Sequence, residues 1–145
     1  MNKYVAILIA ALVVLGGGFY YKTFVASESS KPLDTGVLRE FTITAEKNAW
    51  NFNPAVIEVN QGDHVVLTVV NQDDYDHGLA IDAFGISKRI FANTTEKIDF
   101  VATQPGEFPY YCSVSCGSGI VDGKTRGHFD QTGKLIIKAP VTSVE

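Results

Sequence analysis

The sequence predicts an all-β sandwich that follows one apolar N-terminal helix. Three observations lead to this prediction: an uncharged apolar run near the N-terminus, short segments of alternating apolar and polar residues from Arg39 onward, and the absence of a helical period among those segments. The 145 residues suffice for one ordinary domain, and 46% apolar with 19% charged residues is the composition of a chain that packs a core.

The N-terminal apolar run extends from Tyr4 to Tyr21, is interrupted only by three glycines, and ends at Lys22. At a helical rise of 1.5 Å per residue it spans about 27 Å, close to the thickness of a hydrocarbon core. A retained single-pass anchor is favoured over a cleaved signal peptide, because Phe24-Val25-Ala26 is a poor cleavage site. We therefore expect residues 1–26 to be a membrane anchor or signal segment, with the domain on the periplasmic or extracellular side of the cell membrane.

The remaining chain divides into a linker, residues 27–37, a β-domain, residues 38–139, and a short tail, residues 140–145. Without Lys3 and Lys22, ten basic and sixteen acidic groups remain, a net charge of −6. So acidic a domain is not expected to bind nucleic acid. A basic protein partner fits better, because charge complementarity speeds encounter.

The β-domain consists of short strand segments separated by turn residues. Turns are predicted at Asn53-Pro54, Gln61-Gly62-Asp63 and Gln104-Pro105-Gly106, where glycine or proline interrupts the alternation. Seven or eight such strands indicate a β-sandwich or a small barrel. The strands are predicted at residues 41–44, 56–59, 64–70, 78–81, 87–91, 97–101, 107–111 and 134–138.

The two cysteines of the chain, Cys112 and Cys116, lie between His77 upstream and His128 downstream. Two thiolates and two imidazoles suit copper or zinc. We expect His77 in the loop after one strand, the cysteines at the end of another, and His128 just before the last, so that one end of the sandwich gathers all four. A disulfide is the alternative, although so short a loop would gain little stability.

Several short motifs of the domain match a known family. They are Phe52-Asn53-Pro54, Ile57-Glu58-Val59, Gly62-Asp63, Asp76-His77-Gly78-Leu79, Pro105-Gly106-Glu107, Cys112-x-x-x-Cys116-Gly117, and Gly127-His128 followed by Gly133-Lys134-Leu135-Ile136-Ile137. With these motifs, residues 38–139 resemble the cupredoxins, specifically the binuclear-copper (CuA) domain of cytochrome oxidase subunit II and nitrous oxide reductase. The resemblance implies a Greek-key β-sandwich that accepts electrons from a cytochrome or small copper protein and passes them to catalytic metals.

The resemblance also implies individual roles for the candidate ligands. Cys112 and Cys116 would be bridging thiolates, and His77 and His128 terminal imidazoles. The backbone carbonyl of Val114 lies where the family supplies a weak oxygen ligand. The implied cofactor is copper: two ions if the site is CuA-like, otherwise one.

The sequence departs from the family in two ways. His128 lies twelve residues after Cys116, where the family has four, so residues 118–126 form an extra loop. Gln131 occupies the position of the family's methionine, and the chain's one methionine is Met1. Because glutamine also fills weak axial positions and tunes the potential, we expect Gln131 to ligate weakly and to lower the reduction potential.

Three functions remain open on the sequence alone. The first is electron transfer by a membrane-tethered copper domain, freestanding or as an oxidase subunit; it would not catalyse oxygen reduction alone, since haem and catalytic copper need another polypeptide. The second is a copper metallochaperone for oxidase assembly. The third is a mononuclear, type-1-like or red, copper protein. Two further features stay ambiguous: Trp50 lies on an electron route or in the core, and the three aspartates Asp73, Asp74 and Asp76 form a solvated turn or an acidic docking surface.

Overall fold

The computed structural model describes residues 2–21 and 35–140. The chain separates into two compact units, Met1–Pro32 and Leu33–Glu145. Most of the predicted linker, residues 27–34, and the tail from residue 141 lie outside the described residues. From Thr35 onward the chain is tied to the β-domain, because the Thr35 N–H donates to the Gly62 carbonyl at 2.8 Å.

The first unit contains helix α1, Lys3–Tyr20. Asn2 caps it, since its side chain accepts a hydrogen bond from the Tyr4 N–H at 3.2 Å. The helix is long and apolar enough to cross a membrane, and none of its residues is buried. The predicted apolar N-terminal helix is thus confirmed; by length and composition alone, a signal sequence would look the same.

The described part of the second unit consists of β-strands, which form two main sheets and one separate hairpin, and two short 3₁₀ helices, Asp82–Phe84 and His128–Asp130. All eight predicted strands are present. The strands are β1 Leu38–Ala45, β2 Phe52–Asn53, β3 Val56–Asn60, β4 His64–Asn71, β5 His77–Ile81, β6 Ile86–Ile90, β7 Thr95–Val101, β8 Gly106–Tyr111, β9 Ser118–Val121, β10 Lys124–Gly127 and β11 Thr132–Lys138.

One main sheet has the strand order β2-β1-β4-β7 and the other β3-β11-β8-β5-β6. The pairs β1–β4 and β3–β11 are parallel, and the remaining pairs of these sheets are antiparallel. This is the β-sandwich that the alternating segments predict.

The core lies between the two sheets because alternate residues of each strand point inward. In β4 the inward residues are Val65, Leu67 and Val69, all essentially inaccessible to solvent. Each such aliphatic side chain contributes roughly 1.5–3 kcal/mol by leaving water. The opposing sheet contributes Ile57, Leu79, Ile81, Tyr110, Leu135 and Ile137.

Three adjacent strands of the second sheet bring the candidate ligands to one end of the sandwich. Strand β8 ends one residue before Cys112, whereas its antiparallel neighbours β5 and β11 begin at that end, at His77 and just after Gln131. His77 was predicted in a loop. That prediction was wrong, since His77 is the first residue of β5 and is fully buried.

Candidate metal centre

The two cysteines lie side by side at the end of β8. Their Sγ atoms are 3.6 Å apart, and both thiols are free and buried. The structure therefore contains a dithiol and not the alternative disulfide. The Val114 carbonyl, in the loop between them, lies 3.1 Å from Cys112 Sγ, and the Gly78 N–H approaches the same sulfur at 3.4 Å.

His77 faces the first sulfur through one ring nitrogen and a carboxylate through the other. Its Nδ1 lies 3.7 Å from Cys112 Sγ, and its Nε2 lies 2.7 Å from Asp73 Oδ2. The side chains of His77 and Asp73 are each only 1% exposed. A carboxylate at Nε2 favours the tautomer with its proton on that nitrogen, which leaves Nδ1 free to ligate.

Asp73 belongs to this site and not to the surface. Its Oδ1 accepts a hydrogen bond from the Asn48 N–H at 2.6 Å, and its own N–H donates to Asn71 Oδ1. Both sequence-based interpretations, a solvated turn and a docking surface, are wrong for Asp73. No local pattern separates Asp73 from Asp74 and Asp76, because the path of the backbone decides which of the three points inward.

His128 reaches the second sulfur although twelve residues separate it from Cys116. Its Nδ1 lies 3.8 Å from Cys116 Sγ, and its backbone N–H donates to the Gly117 carbonyl at 3.0 Å. The residues between them form the hairpin β9–β10. At the end of the hairpin away from its turn, Ser118 pairs with Gly127. The chain therefore re-enters the site next to the point where it left.

This hairpin corrects the prediction of a loop at residues 118–126. Its turn is made by Asp122 and Gly123, with φ of 50° and 73°. Two consecutive positive φ values define the type I′ turn that suits a two-residue hairpin, and Asp-Gly is among its preferred sequences. The signal was present in the sequence, between Ile120-Val121 and Lys124-Thr125.

The side-chain oxygen of Gln131 faces the sulfur of Cys116. Its Oε1 lies 3.5 Å from Cys116 Sγ, and its Nε2 donates to the Asn51 carbonyl at 3.2 Å. The side chain is buried, and its backbone carbonyl accepts from the Cys112 N–H at 3.0 Å. Because Asn51 offers only an acceptor at that point, the amide keeps its nitrogen away from the sulfur.

The electrostatics of the site make the two thiols unequal. Burial opposes the Cys112 thiolate, but hydrogen bonds from His77 and from the Gly78 N–H prevail and lower the pKa of Cys112 to about 6. Burial and the neighbouring Cys112 charge raise the pKa of Cys116 to about 12. Burial also acts to lower the pKa of His77, but its hydrogen bonds to Cys112 and Asp73 outweigh burial and raise it.

The ligand atoms of the two cysteines and the two histidines are not all equally close to one another. His77, Cys112 and Cys116 form a group whose ligand atoms all lie within 4.8 Å of one another, and His128 is not part of that group. A tetrahedral ion with bonds of about 2.0 Å to nitrogen and 2.3 Å to sulfur holds its ligand atoms roughly 3.3–3.8 Å apart. Because His128 lies outside the compact group of three, the four residues do not surround one point as a single four-coordinate ion requires.

Known proteins resemble this chain in sequence and in fold. The cupredoxin-like domain family matches residues 18–121. Nitrous-oxide reductase of Stutzerimonas stutzeri is 34% identical over 83 residues, which cover 55% of this chain but 12% of that protein. Cytochrome c oxidase subunit 2 of Thermus thermophilus is 23% identical over 99 residues, covering 68% of this chain and 67% of the subunit.

A solved structure shows the same fold. It is the periplasmic domain of subunit II of cytochrome oxidase from Bradyrhizobium japonicum, with a TM-score of 0.52, 18% identity, and coverage of 69% of this chain and 83% of that domain.

Proposed function

Because this chain belongs to the cupredoxin-like domain family, we propose that it is a copper protein that transfers electrons through a binuclear centre of the CuA type. The motif-based resemblance to nitrous-oxide reductase and cytochrome oxidase subunit II is confirmed by the relatives found. The activities of those longer proteins are proposals where this chain is concerned.

One observation carries the proposal: two unbonded sulfurs lie 3.6 Å apart, and each has its own imidazole nitrogen nearby, at 3.7 and 3.8 Å. Soft thiolates and imidazoles together favour copper. An oxygen stands next to each sulfur, from Val114 and from Gln131. The donor set would therefore suit two copper ions, with both cysteines holding the pair, His77 and His128 each holding one ion, and the Val114 and Gln131 oxygens as weak neighbours.

Two copper ions held by these residues would share one unpaired electron, which would spread the charge change over both and limit the rearrangement at each transfer. The residues of this chain contribute rigidity. His77 is fixed by Asp73, Gln131 by Asn51, and the sulfurs lie in a buried end of the sandwich. Ligands that cannot move keep the geometry the same in both oxidation states.

The compartment and partners are part of the same proposal. Helix α1 has the length and composition of a single-pass anchor. We place the domain on the periplasmic or extracellular side, where it would accept electrons from a basic cytochrome c or small copper protein. The acceptor would be an oxidase catalytic subunit if the chain is an oxidase subunit, and a separate redox protein if it is freestanding.

The test is the copper content of the full chain in detergent, reduced, incubated with copper and desalted. We expect two ions per chain. A single ion would support a mononuclear site at His77, Cys112 and Cys116, which the compact group of these three residues favours as the second candidate. Metal that exchanges rapidly with a competing chelator would instead support the metallochaperone function. Protein that emerges without copper would overturn the proposal.

Gln131 offers a prediction about the reduction potential. The variant Gln131→Met should titrate at a higher potential than the wild type, because a thioether stabilises reduced copper better than an amide oxygen does. The isosteric Gln131→Glu should titrate lower, because a carboxylate stabilises the oxidised state. Potentiometric titration of the three proteins measures this, and identical potentials would show that Gln131 does not contact copper.

The hairpin gives a prediction about spacing. Deleting residues 119–126 joins Ser118 to Gly127 and restores the family's four-residue separation between Cys116 and His128. We expect the copper content to stay the same, since the two ends of the deleted segment are already paired. Shortening the connection changes the loop entropy by only about 1 kcal/mol. Elemental analysis and denaturant unfolding measure both effects; loss of copper would mean that the hairpin itself builds the site.

A further inference from the structure

Trp50, the only tryptophan of the chain, packs against the candidate metal centre at Cys116. Its side chain is buried, and its indole Nε1–H donates to the Cys116 carbonyl at 3.1 Å. The indole stacks on Tyr75 with ring centroids 6.2 Å apart, and Tyr75 in turn contacts the His77 ring at 5.2 Å. Trp50 thus touches the second cysteine directly and the first histidine through one neighbour.

The hairpin β9–β10 packs against the same indole through Gly119. A Cβ on Gly119 would lie 2.3 Å from Trp50 Cη2 and 2.6 Å from Cζ3, closer than any real contact allows. Gly119 is therefore required because the hairpin backbone lies against the ring. Residues that share such a contact cannot shift independently in a close-packed interior.

The backbone of Trp50 supports a positioning role. Its φ is 46°, in the left-handed region that bulky residues avoid. Such a conformation is strained and persists only where the surroundings hold it. Here the surroundings are the indole hydrogen bond, the stack on Tyr75 and the hairpin above.

We propose that Trp50 is a positioning residue of the metal centre, and that the β9–β10 hairpin acts on the centre through it by pressing Gly119 against the indole. The indole fixes the Cys116 carbonyl. The next carbonyl, of Gly117, accepts the His128 N–H at 3.0 Å. One side chain therefore sets the placement of both Cys116 and His128, the half of the centre that the lengthened segment would otherwise leave loose.

A double-mutant cycle isolates this contact. Gly119→Ala adds a methyl that must displace the indole. Trp50→Phe removes both the N–H donor and the benzo-ring atoms that the methyl would meet. In the double variant the methyl has room, so Gly119→Ala should have no further effect. Thr125→Ala, an exposed position on the same hairpin that is not paired with Gly119, is the matched control.

Two readouts are needed, one without metal and one with copper; the second rests on the proposed function. In the metal-free protein, thiol labelling resolved by mass spectrometry measures how often the Cys116 segment opens. We expect labelling of Cys116 to rise about tenfold in Trp50→Phe and in Gly119→Ala, the factor for one lost buried hydrogen bond, with a smaller change at Cys112. In copper-loaded protein, the thiolate-to-copper absorption bands should shift in the same two variants at unchanged copper content.

The outcomes separate the two proposals. If Gly119→Ala changes labelling equally in both backgrounds, the hairpin does not act through Trp50 and the inference is wrong. Equal labelling rates and spectra in the wild type and Trp50→Phe would show that Trp50 only packs in the core, and the inference would again be wrong. If no variant shows a thiolate-to-copper band but the labelling cycle is non-additive, the proposed function fails while the role of Trp50 stands.

Discussion

Serine in place of either Cys112 or Cys116 should remove the shared copper centre altogether. Each sulfur lies 3.6 Å from the other sulfur and within 3.8 Å of one imidazole nitrogen, so each is expected to bridge both ions. A hydroxyl is not ionised at neutral pH and is a harder donor, so it does not replace a bridging thiolate for copper. Copper content should fall from two ions per chain to one or none in both variants, with loss of the intense thiolate absorption.

The two serine variants should lose copper to the same extent, and this equality tests the bridging roles. In a mononuclear site with one cysteine ligand, one of the two serine variants would keep its copper and its absorption. That result would contradict the bridging roles. A mononuclear site at His77, Cys112 and Cys116 would lose its ion in both variants, and the single ion of its wild type distinguishes that case. Ser113→Ala and Ser115→Ala, at exposed positions of the same loop, are the matched controls and should leave copper content unchanged. Denaturant unfolding of the metal-free proteins shows whether the serine variants still fold.

The variant Asp73→Asn should lower copper affinity about 10–100-fold, the usual effect of removing the partner that orients a ligating histidine. If the amide turns its nitrogen to His77, it donates to Nε2, and the proton moves to Nδ1, the nitrogen that should ligate. If the amide turns its oxygen to His77, its nitrogen instead faces the Asn48 N–H, which loses its acceptor. Either orientation disrupts one side of the network.

Asp74→Asn is the matched control, since Asp74 is the next residue, is 69% exposed, and pairs with Lys47 at the surface. Competition with a Cu(I) chelator measures both variants. Equal affinities for Asp73→Asn and the wild type would mean that Asp73 does not orient His77. Equal losses in Asp73→Asn and Asp74→Asn would point to net charge as the cause, not to the geometry at Nε2.

The fold could be predicted from the sequence because burial on one face of a strand leaves a period of two. Strand β4 shows it plainly: Val65, Leu67 and Val69 are buried, and the residues between them are at least partly exposed. The hairpin was missed although Asp122-Gly123 is a strong turn signal. Its strands are too short and too exposed to show an alternation, so nothing beside the turn marked them.

The candidate ligands were predictable by residue type and motif, but their supporting residues were not. Cysteine and histidine carry their chemistry in their identity, which is why Cys112, Cys116 and His77 stand out. Asp73 and Trp50 act through placement: one of three similar aspartates is buried, and one indole meets a carbonyl 66 residues away in sequence. Such placement depends on how β1, β4 and β5 pack, and no local pattern encodes it.

The most direct test is paramagnetic resonance of the copper-loaded full chain in its oxidised form. Two neighbouring sulfurs, each with its own imidazole nitrogen nearby, should give the hyperfine pattern of an electron divided equally between two copper nuclei. The pattern of a single nucleus, from protein saturated with copper, would contradict that arrangement.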